Sequence, residues 1–274
     1  MQKIDAHHHF WKYSPVAHSW ITEELQILKR DYLPEDLETE IKKSGYTGVV
    51  SVQASQTEAE TDFLLGLAEQ NEFIKGVVGW LDLQAENIED RLAHYTQHPK
   101  FKGIRHIVQD EPDDQFLLRK DFLRGIEKLK NFDLTYDILI FPKHLKVALE
   151  FVQKFPEHKF VINHLAKPFI KNQKIQPWKD EITELAKYEN VYCKLSGMVT
   201  EASWENWKPE DFKPYLDVAF EAFGSKRLMT GSDWPVCRLA GEYGEVMPIV
   251  EEYLPDEASK KAVLAQNAID FYSL

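Results

Sequence analysis

Cysteine is nearly missing from this 274-residue sequence: only Cys193 and Cys237 occur, with no CxxC spacing. That scarcity argues against a disulfide framework or a structural zinc site and leaves both thiols as packing residues. No apolar run approaches the roughly 20 residues a membrane-spanning helix needs. Basic charge is also short, with 33 Lys and Arg against 45 Asp and Glu, a net of −12. Nucleic acid and anionic membranes both reward a basic surface, so neither is an expected partner. Two catalytic signatures are missing as well. No GxGxxG follows the first apolar run, and no GxSxG elbow occurs, which disfavours dinucleotide chemistry and a serine nucleophile. The stretch Met1-Gln2-Lys3-Ile4-Asp5 lacks the apolar core of a signal peptide, so the cytoplasm is the expected location.

What is present is regular. Hydrophobic residues make up 43% and charged residues 28%, enough to bury a large core. Short β-branched runs at 3–9, 47–53, 75–81, 102–107, 134–139, 159–164, 191–195 and 227–231 predict strands. Between and after them, helical patterns occupy 34–43, 58–70, 87–97, 121–130, 145–155, 178–188, 214–223 and 258–268. Pro34 suits a first helical turn, and Phe63, Leu64, Leu67 and Ala68 share one helical face. Strand and helix alternating eight times predict one (β/α)₈ TIM barrel over 1–274, a length that suits this fold. An open, doubly wound sheet is the alternative fold. No linker, repeat or low-complexity tract divides the chain. The segments 10–33, 166–177, 197–209 and 233–244 all follow strands, where a barrel builds its active face. Trp11, Tyr13 and Trp20 in the first of them either shield a substrate from water or simply pack.

Three strand ends carry the chemistry. In Asp5-Ala6-His7-His8-His9-Phe10-Trp11, alternate side chains share a face, so His7 and His9 point one way and His8 the other. His164 ends the sixth strand and Asp233 follows the eighth. Each has a structural reading on its own, Asp233 as a helix cap. Together, in barrel order, they predict one pocket able to bind a metal or a carbonyl oxygen.

These residues resemble the amidohydrolase superfamily. More closely, Ile4 to Trp11, Asn163-His164-Leu165-Ala166-Lys167-Pro168, Lys194-Leu195-Ser196-Gly197 and Gly231-Ser232-Asp233-Trp234-Pro235 resemble its sugar-lactonase branch. That branch holds fuconolactonases, rhamnonolactonases and pyrone-dicarboxylate lactonases, and the resemblance runs from Ile4 to Asn267-Ala268. It implies an amidohydrolase-type barrel and a hydrolase of carboxylic esters. The fifth strand ends in neither lysine nor histidine, so a bridged binuclear metal centre is not expected. His7, His9, His164 and Asp233 suffice for one divalent ion such as zinc with an open water position. They also suffice for a site in which the histidines touch the substrate directly, and both modes stay open.

Lactone hydrolysis needs an activated water, a partner for the oxyanion and a proton for the ring alkoxide. Asp233 is the expected base and acid; His7, His9 and His164, or a metal they hold, polarise the carbonyl. Arg105, Gln53, Lys194, Trp80 and Trp234 are the substrate-binding candidates. Lys194 has a buried ion pair as its equal alternative. His106 is expected to face away from Arg105. Arginine near the strand ends is limited to Arg105 and Arg238, too few forks for a dicarboxylate, so a neutral polyhydroxylated lactone is the expected partner. L-Fuconolactone and L-rhamnonolactone lead, and a homodimer is an allowed assembly. A metal-dependent decarboxylase of a small aromatic or unsaturated acid is the nearest enzyme alternative, and a non-catalytic sugar-binding barrel is the alternative of another class.

Overall fold

The computed structural model describes residues 2–274; Met1, part of the predicted domain, lies outside the described residues. Eight parallel strands run in chain order: β1 (Ile4–His8), β2 (Gly48–Val52), β3 (Ile74–Gly79), β4 (Phe101–Ile107), β5 (Thr135–Leu139), β6 (Phe160–Ile162), β7 (Val191–Leu195) and β8 (Leu228–Thr230). Each pairs with its neighbour. The seam between β8 and β1 is closed just beyond the strand ends, where Asp233 N–H donates to the His7 carbonyl (2.8 Å) and His9 N–H to the Trp234 carbonyl (2.7 Å). Asp5 reinforces it by accepting from the backbone of both His7 (3.1 Å) and Ser232 (2.9 Å). The result is a (β/α)₈ TIM barrel.

Seven helices between strands match the expected periodicity, α1 (Pro34–Lys43), α2 (Glu58–Gln70), α3 (Ile88–Tyr95), α4 (Lys120–Leu129), α5 (Leu145–Gln153), α6 (Trp178–Ala186) and α7 (Pro209–Phe223), and α8 (Tyr243–Tyr253) follows β8. Their apolar stripes cover the outer strand residues, such as Val49, Val77, Ile104 and Ile138. Two helical expectations change. Pro209, not Pro214, opens α7, because Lys208 N–H is capped by the Asp211 carboxylate (2.9 Å) and Pro214 is carried inside the helix. The eighth barrel helix is α8, absent from the sequence reading because Pro248 inside it interrupts the pattern. The expected helix at 258–268 is instead an addition to the barrel. It is α9 (Glu257–Lys261), a π-turn (Ala262–Gln266) and α10 (Asn267–Tyr272). Ala265, Ala268, Phe271 and Tyr272 pack against the interior set of Ile4, Val50, Val161 and Met229. Lys102, at the start of β4, donates to the Ser273 carbonyl (2.7 Å), which places this segment over the N-terminal mouth. The opposite mouth is left for the site.

No helix among the described residues is long and apolar enough to cross a membrane.

Candidate functional site

A one-residue register slip between Asp5 and His8 re-aims the end of β1. Ile4 and Ala6 join the interior set below it. His8 points outward, its Nε2 on Ser51 Oγ at 2.8 Å, while His7 and His9 turn inward. His9 Nε2 lies 3.2 Å from Asp233 Oδ1, His7 Nε2 3.8 Å and His164 Nε2 3.9 Å from the same oxygen. Imidazoles of the first and sixth strands therefore meet the carboxylate after the eighth.

Backbone conformation does much of this placing. Residues His164 to Lys167 form a run of left-handed φ values, 54°, 52°, 57° and 53°, and Asp233 has φ 57°. None is glycine, so the turn is strained, as functional turns often are. Two glycines make room. A Cβ on Gly197 (φ +61°) would stand 2.5 Å from His164 Nδ1, and one on Gly231 would stand 2.6 Å from His7 Cβ.

Each ring is oriented by a second contact. His9 Nδ1 meets the buried Val52 carbonyl at 2.7 Å, so it must be the N–H and Nε2 presents its lone pair to Asp233 when the ring is uncharged. A carboxylate facing that lone pair needs a proton or a cation between them. His164 Nδ1 bonds Ser196 Oγ at 2.9 Å, and His7 Nδ1 meets Lys194 Nζ at 3.2 Å. Burial holds His7 well below the ordinary imidazole range, with the Lys194 charge adding to it. It pushes His164 down to about 3 against the pull of Asp233. Burial also resists ionisation of Asp233, but its attraction for a proton-bearing His164, the hydrogen bond and charge of a proton-bearing His9, and the Lys167 ammonium outweigh it and hold the carboxyl below its usual value. Asp233 is thus a carboxylate at neutral pH.

Beneath the imidazoles lies a buried polar layer. Arg105 spans it, one guanidinium nitrogen on His7 Nε2 and Asn163 Oδ1 (3.3 Å each), the other on the Gln53 carbonyl and, at 3.1 Å, Gln53 Oε1. Burial brings Arg105 down to about 10, with Asp137 and Asp233 opposing. Lys194 and Asp137 pair at 2.6 Å with no exposure on either side chain, and Asn163 and Tyr272 also donate to Asp137 (2.9 Å each).

A cavity of about 300 Å³ opens above this layer. Of the sequence candidates, His9, Arg105, His164 and Asp233 line it. His7 lies just below. Gln53 and Lys194 are fully buried in the polar layer, Lys194 in the ion pair that was its alternative reading. Trp80 donates to His106 (3.3 Å) outside the barrel wall, where His106 faces away from Arg105 and bonds Glu111 (2.6 Å). Trp234 packs in the core against Tyr32 and Phe10.

The walls also hold Trp20, from the aromatic loop read as either a substrate shield or simple packing, and Gln109, Asp110 and Lys167, to which the sequence reading gave no substrate role, with Ile107 and Leu139 as apolar surface. Lys167 lies inside the quoted Asn163–Pro168 motif, so a signal existed. Gln109 and Asp110 sit on a short 3-10 turn after β4 (Val108–Asp110) and had none. Trp20 Nε1, Gln109 Oε1 and Arg105 Nε are buried without a protein partner, leaving donors and an acceptor for a polar ligand.

Ligand atoms of His7, His164 and Asp233 lie within 4.8 Å of one another, whereas His9 Nε2, 3.2 Å from Asp233 Oδ1, lies outside that set. The three residues fit a divalent ion.

The chain is 38% identical over 245 residues to the L-fucono-1,5-lactonase of Burkholderia ambifaria, covering 89% of this chain and 83% of that protein. It is 37% identical to the L-fucono-1,5-lactonase of Burkholderia multivorans, covering 99% and 96%. The crystal structure of a Burkholderia multivorans amidohydrolase with bound zinc superimposes with a TM-score of 0.97 at 37% identity, over all of both chains. The amidohydrolase family model matches residues 4–274. By barrel and match alike, the chain belongs to the amidohydrolase family.

Proposed function

We infer that this amidohydrolase hydrolyses a sugar-derived lactone to its aldonic acid, with L-fucono-1,5-lactone the first substrate to try. The observation that carries this reading is Asp233, an ionised carboxylate 3.2 to 3.9 Å from three imidazoles at the floor of a cavity sized for a small ring. The relatives named above supply the substrate class.

A water held by the Asp233 carboxylate loses its proton to Oδ as its oxygen attacks the lactone carbonyl. The tetrahedral oxyanion is held by positive or hydrogen-bonding groups of the cavity wall. When the ring C–O bond breaks, Asp233 returns the proton to the departing alkoxide. One water is consumed, no enzyme bond forms, and the acid product releases a proton to solvent. Ser196 is no rival nucleophile: it does not line the cavity, and its hydroxyl orients His164. A divalent ion held by His7, His164 and Asp233 would supply Lewis-acid polarisation of the carbonyl. Trp20, Gln109 and Asp110 offer the hydrogen bonds that a polyhydroxylated ring needs.

The test uses purified protein, a panel of aldonolactones and a pH indicator in weak buffer, with and without chelator, beside Asp233→Asn. Acid release by the native enzyme, reduced at least about 100-fold in the variant, is expected. Carbon dioxide from an aromatic acid, with no lactone opened, would replace this reading by the decarboxylase.

A further inference from the structure

Three cationic side chains reach the Asp233 pocket or its floor, and two of them give their terminal nitrogens to the protein itself, with only Nε of Arg105 left over. Arg105 gives both terminal nitrogens to His7, Asn163 and Gln53. Lys194 is fully buried and gives its ammonium to Asp137 and His7. Lys167 differs. It lines the cavity with His164 and Asp233, and its Nζ lies over the Phe141 ring, 5.3 Å from the centroid. Asp233 is within 4 Å of His7, His9 and His164 but makes no such pair with Lys167. Among the described residues no carboxylate pairs with this ammonium.

The imidazoles are weak substitutes for that charge. His9 has committed its Nδ1 hydrogen to the Val52 carbonyl, while His164 Nδ1 is engaged by Ser196 Oγ at 2.9 Å and His7 Nδ1 by Lys194 Nζ at 3.2 Å. An oxyanion forming above Asp233 therefore meets, beside the single free Nε–H of Arg105, an ammonium whose three N–H donors are not taken up by a carboxylate. The backbone delivers it: Lys167 closes the left-handed turn that begins at His164, its N–H donating to the His164 carbonyl at 2.7 Å. Trp178 Nε1 pins the middle of the turn through the Leu165 carbonyl, also at 2.7 Å. A strained turn is held in place, and it sends His164 and Lys167 into the same cavity.

We propose that Lys167 is a further catalytic residue, holding the oxyanion formed on the lactone carbonyl and then the carboxylate of the aldonate product. This rests on the lactonase reading. In the step concerned, the water oxygen bonds to the carbonyl carbon and its proton passes to Asp233. The carbonyl electron pair moves onto the oxygen that faces the Lys167 ammonium. As that pair returns, the bond to the ring oxygen breaks, and the ring oxygen takes the proton from Asp233. Lys167 keeps its own proton throughout.

The experiment compares native enzyme with Lys167→Met, Lys167→Arg and Lys167→Gly. Lys167→Met is expected to lower kcat at least about 100-fold on L-fucono-1,5-lactone, the loss typical of one removed oxyanion donor, with KM changed less than about threefold. Its affinity for L-fuconate by calorimetry is expected to fall about tenfold, and Lys167→Arg to recover part of both. Lys167→Gly is expected to melt no lower than the native protein, because glycine adopts φ 53° freely, yet to be as inactive as Lys167→Met. That separates a functional lysine from a structural one. A Lys167→Met enzyme with kcat within threefold of native and undiminished L-fuconate affinity overturns the proposal. A native enzyme that folds but opens no lactone overturns the lactonase reading, and this one with it.

Discussion

Replacing Lys194 by methionine distinguishes its two readings. The ammonium and the Asp137 carboxylate are both without exposure and 2.6 Å apart. Burial works against the Lys194 charge and Asp137 sustains it. Lys194→Met keeps the volume and leaves Asp137 in the barrel interior with only Asn163 and Tyr272 as donors. Breaking a buried pair from one side costs about 3–5 kcal/mol. With an unfolding entropy of about 2.1 cal/mol/K per residue, a chain of 274 residues loses about 5–9 °C of Tm. Adding Asp137→Asn removes the stranded charge and should restore much of that loss, a coupling of about 2 kcal/mol in a double-mutant cycle. The assay pairs a circular dichroism melt with lactone kinetics. kcat should fall, because His7 Nδ1 loses its contact at 3.2 Å, while KM changes little. A variant that melts within 1 °C of native, as a rough limit, while KM rises about tenfold would refute this reasoning and make Lys194 a substrate contact.

Gly197→Ala meets two obstacles, a φ of +61° and His164 Nδ1 2.5 Å from the new Cβ. A loss of about 2–4 kcal/mol from strain and overpacking is expected, with lower kcat as His164 shifts; native-like melting and activity would show that the ring has room to move. Acidification from pH 7 to 5 should lower Tm. The folded-state pKa of His164 is pushed down to about 3 and that of His158 to about 4 by burial, so their contribution is full above about 6.5 and lost as unfolded chains take up protons below it. Each ring accounts for about 2 kcal/mol over that interval, and Asp5, pushed up to about 6 by burial, offsets about 1 kcal/mol. A Tm that holds or rises would contradict neutral burial of these rings.

The barrel was legible because periodicity is a local property. Alternating β-branched runs and 3.6-residue stripes depend only on which side chains must leave water, and the strand ends they mark already held His7, His9, His164 and Asp233. The one barrel helix missed, α8, carries a proline at 248 that the surrounding packing tolerates. Which polar residues face the cavity was not local. Gln53, Lys194, Trp80 and Trp234 stand at or near strand ends as plausibly as Arg105 does, but Asp137 and Tyr272, distant in sequence, draw Lys194 into the floor, and Tyr32 draws Trp234 into the core. Lys167, Gln109 and Asp110 reach the cavity through a left-handed turn and a 3-10 turn, whose direction no period encodes. The sequence by itself determined the barrel and the four residues that meet in it, because hydrophobic period and strand-end position are written residue by residue. Only the tertiary structure decided which charges are engaged inside the protein and which remain for a substrate, because that depends on partners 52 to 187 residues away in the chain.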